Sequence, residues 1–166
     1  ELAGDEEVRL AGVSTNAVPR PTGRLTSSAD LAIRGARVAP VSYTDYILDA
    51  SGQRVEFRGT ARPAQMPLSA LGSLTVRARD IVQGGNLWAP FGQIELQASN
   101  NLVFKDGSLT SVSATPGSLV PFGQVENGRT WIVDAGGTEI GIAALPEKSI
   151  RTQAASVDMQ GGATLD

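Results

Sequence analysis

Two heptapeptides set 20 residues apart constrain this 166-residue chain more than any other feature. Gly72-Ser73-Leu74-Thr75-Val76-Arg77-Ala78 and Gly92-Gln93-Ile94-Glu95-Leu96-Gln97-Ala98 share the pattern Gly-polar-apolar-polar-apolar-polar-Ala. Looser copies are Asp30-Leu31-Ala32-Ile33-Arg34, Ser149-Ile150-Arg151-Thr152-Gln153-Ala154 and Ser156-Val157-Asp158-Met159. Each alternates with period two, which reads as a short strand with one apolar and one polar face. Around the two best copies lie Ile81-Val82, the Gly84-Gly85 corner, Leu87-Trp88, Leu102-Val103-Phe104, the Asp106-Gly107 turn and Leu109 to Ser113. Short strands with tight corners, recurring at this period, are what one coil of a β-solenoid needs. A single coil cannot bury its apolar face, but stacked coils pair in parallel and bury a continuous column. At about 20 residues per coil the chain makes roughly eight coils, a rod near about 40 Å long. A β-sandwich also shows alternating strands and regular turns, but its strands usually run to about five or six residues, longer than most segments here.

Composition points the same way. Val, Ile and Thr contribute 34 stiff side chains suited to pleated surfaces, and Gly and Pro supply 28 turn-makers. The expected fold class is all-β, a parallel β-solenoid over residues 25–166. With no His and no Cys, zinc sites of the usual kind, thiol nucleophiles, disulfides and Ser-His or Cys-His catalysis are excluded. The net charge is −3 and no charge run exceeds Asp5-Glu6-Glu7, so no nucleic-acid partner is expected. No apolar stretch approaches the roughly 18 residues of a membrane helix, and no secretory signal is visible. The chain starts with Glu, which is expected of a processed product or a segment of something longer. Neither the missing signal nor the missing Cys argues against secretion.

Two stretches break the repeat. Val125-Glu126-Asn127-Gly128-Arg129-Thr130-Trp131 is a hairpin signal, since Asn-Gly is a favoured two-residue turn. Glu126 and Arg129 are then expected to face each other, and the antiparallel hairpin, near 124–133, to project from the stack. Residues 1–24 carry three of the eight Glu and the extended run Ala17-Val18-Pro19-Arg20-Pro21, and are expected to be irregular, a linker or a cap.

Chemistry-bearing motifs are sparse. Gly84-Gly85-Asn86 and Gly136-Gly137 fit no phosphate-binding loop and read as corners. Trp88, Phe91, Phe104 and Trp131 could build a platform for sugars or bases, but so few aromatics read first as packing. A glycosidase needs two carboxyls about 5 to 10 Å apart. Glu95 has Asp80 at 15 residues and no acid near 115, while Glu126 and Asp134 lie in or after the hairpin. The run Ser108-Leu109-Thr110-Ser111-Val112-Ser113 reads as a hydroxyl ladder on an outer strand. No catalytic, cofactor-binding or metal-ligating residue is nominated, and no enzyme or cofactor is expected.

Taken in order, Pro67 to Val76, Ile81-Val82-Gln83-Gly84-Gly85, Ala89-Pro90-Phe91-Gly92-Gln93-Ile94, Gly107 to Ala114, Leu119-Val120-Pro121-Phe122-Gly123 and Asn127-Gly128 with Trp131 resemble a segment of the large filamentous haemagglutinin-like exoproteins of Gram-negative bacteria. The likeness is weaker for Leu31 to Val55 and Lys148 to Asp166, where Val157-Asp158 and Gly161-Gly162 look like the next coil. It leaves out residues 1–24. Leu71 stands where that family more often has Gly, and Phe122 where it often has Tyr. The resemblance implies a right-handed β-helical shaft, secreted by a two-partner system through an outer-membrane barrel and used at the cell surface for adhesion, aggregation or biofilm formation. Implied partners are adjoining coils of a longer chain, the secretion barrel during export and a surface receptor or glycan. The competing expectation is a carbohydrate-binding or carbohydrate-degrading β-solenoid. Under either, Leu74, Val76, Ile94 and Leu96 should stack inward, and neither end carries an evident dedicated cap.

Overall fold

The computed structural model describes residues 1–15, 18–115, 124–134, 139–144 and 147–166. Among these there is no helix; the strands form a ten-stranded sheet, a five-stranded sheet and a separate three-stranded sheet. Pairing in the first two is parallel except where Val13–Thr15 meets Val18–Thr26.

Three ladders organise the chain. The first runs through Val18–Thr26, the front of Asp45–Arg58, the front of Ser73–Gly84, Gln93–Ala98 and Ser149–Gln153. The second takes Leu2–Ala3, Leu31–Arg34, the back halves of the same two long strands, Asn101–Phe104 and Ser156–Met159. Glu7–Leu10, Arg37–Pro40, Asn86–Trp88, Leu109–Ser111 and Thr164–Leu165 make the third. From Val18 onward the chain returns to the ladders in the same order. The 20-residue register is as the heptapeptides require: Leu74 pairs with Ile94 and Val76 with Leu96.

Period-two alternation then builds the core. Tyr46, Leu74, Ile94 and Ile150 are in register, and so are Leu25, Leu48, Val76 and Leu96, and Ala50, Ala78 and Ala98 follow in register where these strands reach the corner. The second ladder adds Leu31, Val55, Ile81 and Leu102. Leu48, Val55, Val76, Ile81, Leu96 and Leu102 are completely buried. Each such side chain stabilises the fold by about 1.5–3 kcal/mol relative to exposure.

Among the described residues no ladder reaches the eight rungs expected. Six strands is the greatest depth among them, about 24 Å at the spacing of paired strands. Chain length goes instead into two excursions. Residues 59–72 leave the third ladder empty for one turn, so Val38 pairs directly with Leu87. The start of this segment is held beside the third ladder by Arg62 to Glu6 at 2.8 Å and by Arg37, which donates to the Gln65 carbonyl at 3.2 Å, and its end is back on the stack at Ala70 and Leu71. The second excursion separates Leu109–Ser111 from Ser149–Gln153.

Residues 1–24, expected to be irregular or capping, carry strands. Leu2–Ala3 and Glu7–Leu10 belong to the parallel ladders, and Val13–Thr15 lies antiparallel on the start of Val18–Thr26. Pro19 and Pro21 fit because they fall between the paired positions Val18 and Thr22, on an edge where a missing N–H costs little. At the other edge the last rung is open: Val157 and Met159 pair with buried Leu102 and Phe104 yet are 53% and 52% exposed. Unpaired edges with apolar side chains recruit other strands. The 166-residue chain should therefore self-associate as concentration rises, and Val157→Lys with Met159→Lys should suppress this. Sedimentation velocity over a wide concentration range checks both.

Two polar side chains, Gln83 and Thr110, meet inside the core. Gln83 is fully buried at the level of Phe57 and Phe104. Its Nε2 donates to the Gly85 carbonyl at 3.1 Å, the Leu109 carbonyl at 2.9 Å and Thr110 Oγ1 at 3.2 Å, and its Oε1 accepts from the Gly85 N–H at 3.3 Å. The side chain thus ties the second ladder to the third. Gln83→Ala should cost about 3–4 kcal/mol, from a cavity and orphaned backbone groups, and Gln83→Leu about 1–3, since only the volume is restored. Chemical denaturation of the three proteins gives the order directly.

Candidate functional site

The three-stranded sheet is the part most distinct from the stack. Gln124–Glu126, Thr130–Asp134 and Glu139–Ile142 pair antiparallel, with Thr130–Asp134 in the middle. The hairpin stands where Asn127-Gly128 placed it, and both residues have positive φ, 52° and 65°. Its register differs by one: Glu126 faces Thr130, not Arg129, because the loop takes three residues and Arg129 folds in to donate its N–H to the Glu126 carbonyl at 3.1 Å. The third strand has no counterpart in the sequence reading. Directly opposed residues share a face, so Val125, Trp131 and Ile142 form one row across the sheet. Val125 is exposed, Trp131 half-buried, and Ile142 packs on Ala70 and Leu71 of the stack.

That contact falls on an unusual corner. Tyr43, Leu71 and Phe91 all have positive φ, at 57°, 65° and 54°. For side chains of this size the left-handed region costs about 1–2 kcal/mol per residue. The three are one rung apart: the Tyr43 N–H donates to the Ala70 carbonyl at 2.8 Å, that of Leu71 to Pro90 at 2.9 Å and that of Phe91 to Val112 at 2.9 Å. Tyr43 and Phe91 pack with Ala70 and Leu71 as a small cluster apart from the main core. A cation covers each end: the Arg20 guanidinium lies 4.4 Å from the Tyr43 ring centre, held by Asp45 at 2.7 Å, and the Lys148 ammonium 5.7 Å from that of Phe91.

The outer faces of the ladders carry open clefts lined by polar side chains. One of about 260 Å³ runs past Ser51, Arg77, Gln97 and Gln153, with Arg77 Nε donating to Gln97 Oε1 at 3.1 Å. Another of about 380 Å³ lies at the corner of the first and second ladders, past Asp30, Arg54, Asp80 and Asn100. Its carboxylates serve the backbone. Asp30 accepts the Arg54 N–H at 2.9 Å, and Asp80 accepts from the Asn101 N–H at 3.3 Å and the Asn100 side chain at 2.8 Å.

Arg79 at 2.7 Å, then Asn100 and Asn101, hold the Asp80 carboxyl below its usual range. Ser51 first, helped by Arg24, does the same for Asp49, and Arg58 for Glu56. A carboxyl whose pKa is lowered on folding adds stability above its unfolded value of about 4, and that stability disappears as pH falls through the folded value. Melting temperature should therefore be flat above about pH 5 and fall below about 4, with a shallower acid limb for Asp80→Asn. A series of thermal melts from pH 7 to 2.5 tests this.

The structure disperses the other candidates. Phe104 is in the core, Phe91 at the strained corner and Trp88 on the outer side of the third ladder, so they build no common platform. Glu95 lies between Thr75 and Arg151 and is not in register with a second carboxylate. Among the described residues no three or more acids gather as a cation site. Ser108, Thr110 and Ser111 are buried, which corrects their reading as an outer hydroxyl ladder: Thr110 points inward to Gln83, and Ser111 bonds Asp166 at 3.2 Å. Gly84-Gly85 is a corner between strands, and Gly136-Gly137 lies outside the described residues. Comparison of the chain with protein-family models, with curated proteins and with solved structures finds no match.

Proposed function

We propose that the three ladders are the faces of a right-handed parallel β-helix, and that the chain is a structural shaft segment of a secreted, surface-associated bacterial adhesin of the filamentous haemagglutinin-like kind. The observation that carries this reading is the in-register parallel return of the chain to three ladders in fixed order. Parallel crossovers within a sheet are right-handed in about 98% of cases, which supports that hand. Such a stack adds about 4.8 Å of length per coil, and each coil presents its edge as the template for the next. It acts as a spacer and carries what projects from it. A chain without Cys also suits export through a barrel, because no disulfide cross-links it before passage.

The test is to insert residues 1–166 into a rod-shaped surface adhesin and measure rod length by electron microscopy, alongside a glycan array with the isolated chain. The expected result is a rod longer by about 24 Å with no selective glycan binding. Selective binding lost on Trp131→Ala would overturn the reading in favour of a carbohydrate-binding solenoid.

A further inference from the structure

We propose that the left-handed column Tyr43, Leu71 and Phe91 is a docking ridge: it keeps large side chains where glycine would relax the backbone because those side chains seat the antiparallel sheet on the stack. Strain of this kind persists only where its surroundings enforce it, and it gathers where a side chain is needed in a set place. Three observations converge. The positive-φ residues occupy the same corner on successive rungs, at 43, 71 and 91. Their side chains sit outside the main core, so the stack does not need them to fill its interior. The second excursion meets the stack here twice: Ile142 packs on Ala70 and Leu71, and where the chain rejoins the ladders Lys148 lies over Phe91 while Gln93 Nε2 donates to the Glu147 carbonyl at 3.1 Å.

The neighbouring glycines show that the corner is not short of permissive residues. Gly72 and Gly92, each one position further on, do not have positive φ; they are there for close approach, since a Cβ at Gly92 would sit 1.8 Å from the Gly72 carbonyl oxygen. Bulk and smallness are thus placed one residue apart, with bulk on the strained side. Docking through Ile142 also fixes the row that continues through Trp131 to the exposed Val125, so the ridge sets how that row is held out from the stack. The inference concerns the coupling of two parts of this chain and does not rest on the shaft reading.

Hydrogen exchange read by mass spectrometry on the full chain tests it, comparing peptides within 130–142 with peptides within 93–104. Ile142→Ser removes the contact from the sheet's side without touching the stack. Leu71→Gly removes it from the other side and relaxes the backbone. Each should speed exchange within 130–142 by tenfold or more while leaving 93–104 unchanged, and the double variant should do no more than either single, because all three delete one contact. Unchanged exchange within 130–142 in Ile142→Ser would overturn the proposal, whatever the folding of the Leu71 variant. So would a Leu71→Gly protein that loses protection within 93–104 and keeps it within 130–142, since the column would then be corner packing alone.

Discussion

Leu74→Asp should abolish cooperative folding of the chain. Leu74 is 1% exposed and lies in register between Tyr46 and Ile94, with no cation among the inward side chains of that row. An aspartate there either stays charged and unpaired in an apolar column or takes up a proton to stay neutral, and in addition Leu74's packing is lost. The total exceeds about 4 kcal/mol, which is most of the roughly 5–15 kcal/mol by which a domain is stable. Thr75→Lys, one residue on, provides the contrast. Thr75 faces outward between Ile47 and Glu95, so a lysine there gains an opposite charge across the strand and should change stability by no more than about 0.5 kcal/mol. Circular dichroism melts of the two variants separate the cases: loss of the transition in the first, near-identity with the parent in the second. Similar melts for both would mean that the inward and outward rows are wrongly assigned.

What made Leu74 legible was alternation plus an undisturbed 20-residue interval. The strand that pairs with it on its other side escaped notice for two reasons. Asp45-Tyr46-Ile47-Leu48-Asp49-Ala50 has the same inward apolar positions and the same closing Ala, but Ile47 puts an apolar residue in the outward slot and residues 59–72 stretch its interval to 28. Ser149–Gln153, legible as a looser copy, pairs with Gln93–Ala98 at an interval of 56, across the second excursion. The copies also belong to two ladders rather than one: Leu31–Arg34 and Ser156–Met159 sit in the second ladder, and the other three copies in the first. A repeat search sees both as one pattern, since either face of a stack alternates alike.

Other features lack a local signal altogether. Thr110 sits in an apparent hydroxyl run, and only the stacking register reveals that its side chain meets Gln83 inside the core. Tyr43, Leu71 and Phe91 belong to residue types that rarely adopt positive φ, so no propensity marks them. They become visible as a set only once their rungs are aligned. The sheet of 124–142 was half legible: Asn127-Gly128 announced the hairpin, whereas Glu139–Ile142 contains Gly141 and gives little strand signal. A Cβ at Gly141 would come 3.3 Å from Thr130 Cγ2 on the adjoining strand, a close contact that a small shift of that side chain would relieve.

Gly92→Ala should be nearly as damaging as Leu74→Asp, although it adds a single methyl group. A Cβ at this position would stand 1.8 Å from the Gly72 carbonyl oxygen and 2.9 Å from its carbon, whereas real Cβ contacts essentially never fall below 3.0 Å. The obstacle is backbone, so no side-chain rotation relieves it. The Gly72 carbonyl also accepts the Gln93 N–H at 3.1 Å, within a corner series in which Ser73 donates to Thr44 at 2.8 Å and Ser149 to Gly92 at 3.3 Å. Moving Gly72 away breaks the first bond of the Gln93–Ala98 ladder and separates Leu74 from Ile94 behind it. The expected loss is about 3 kcal/mol or more.

Two other glycines calibrate that number. Gly107 has φ +70° and open space around its missing Cβ, so Gly107→Ala should cost only the left-handed conformation, about 1–2 kcal/mol. Gly161 has neither positive φ nor a neighbour within 4 Å, and Gly161→Ala should be neutral or stabilising by up to about 1 kcal/mol. Urea denaturation of the three variants should therefore rank position 92 far below 107, and 107 below 161. Equal effects at 92 and 107 would show that the rungs are spaced more widely at this corner than the Gly72 and Gly92 stacking requires, and that conformation rather than close approach selects the glycine.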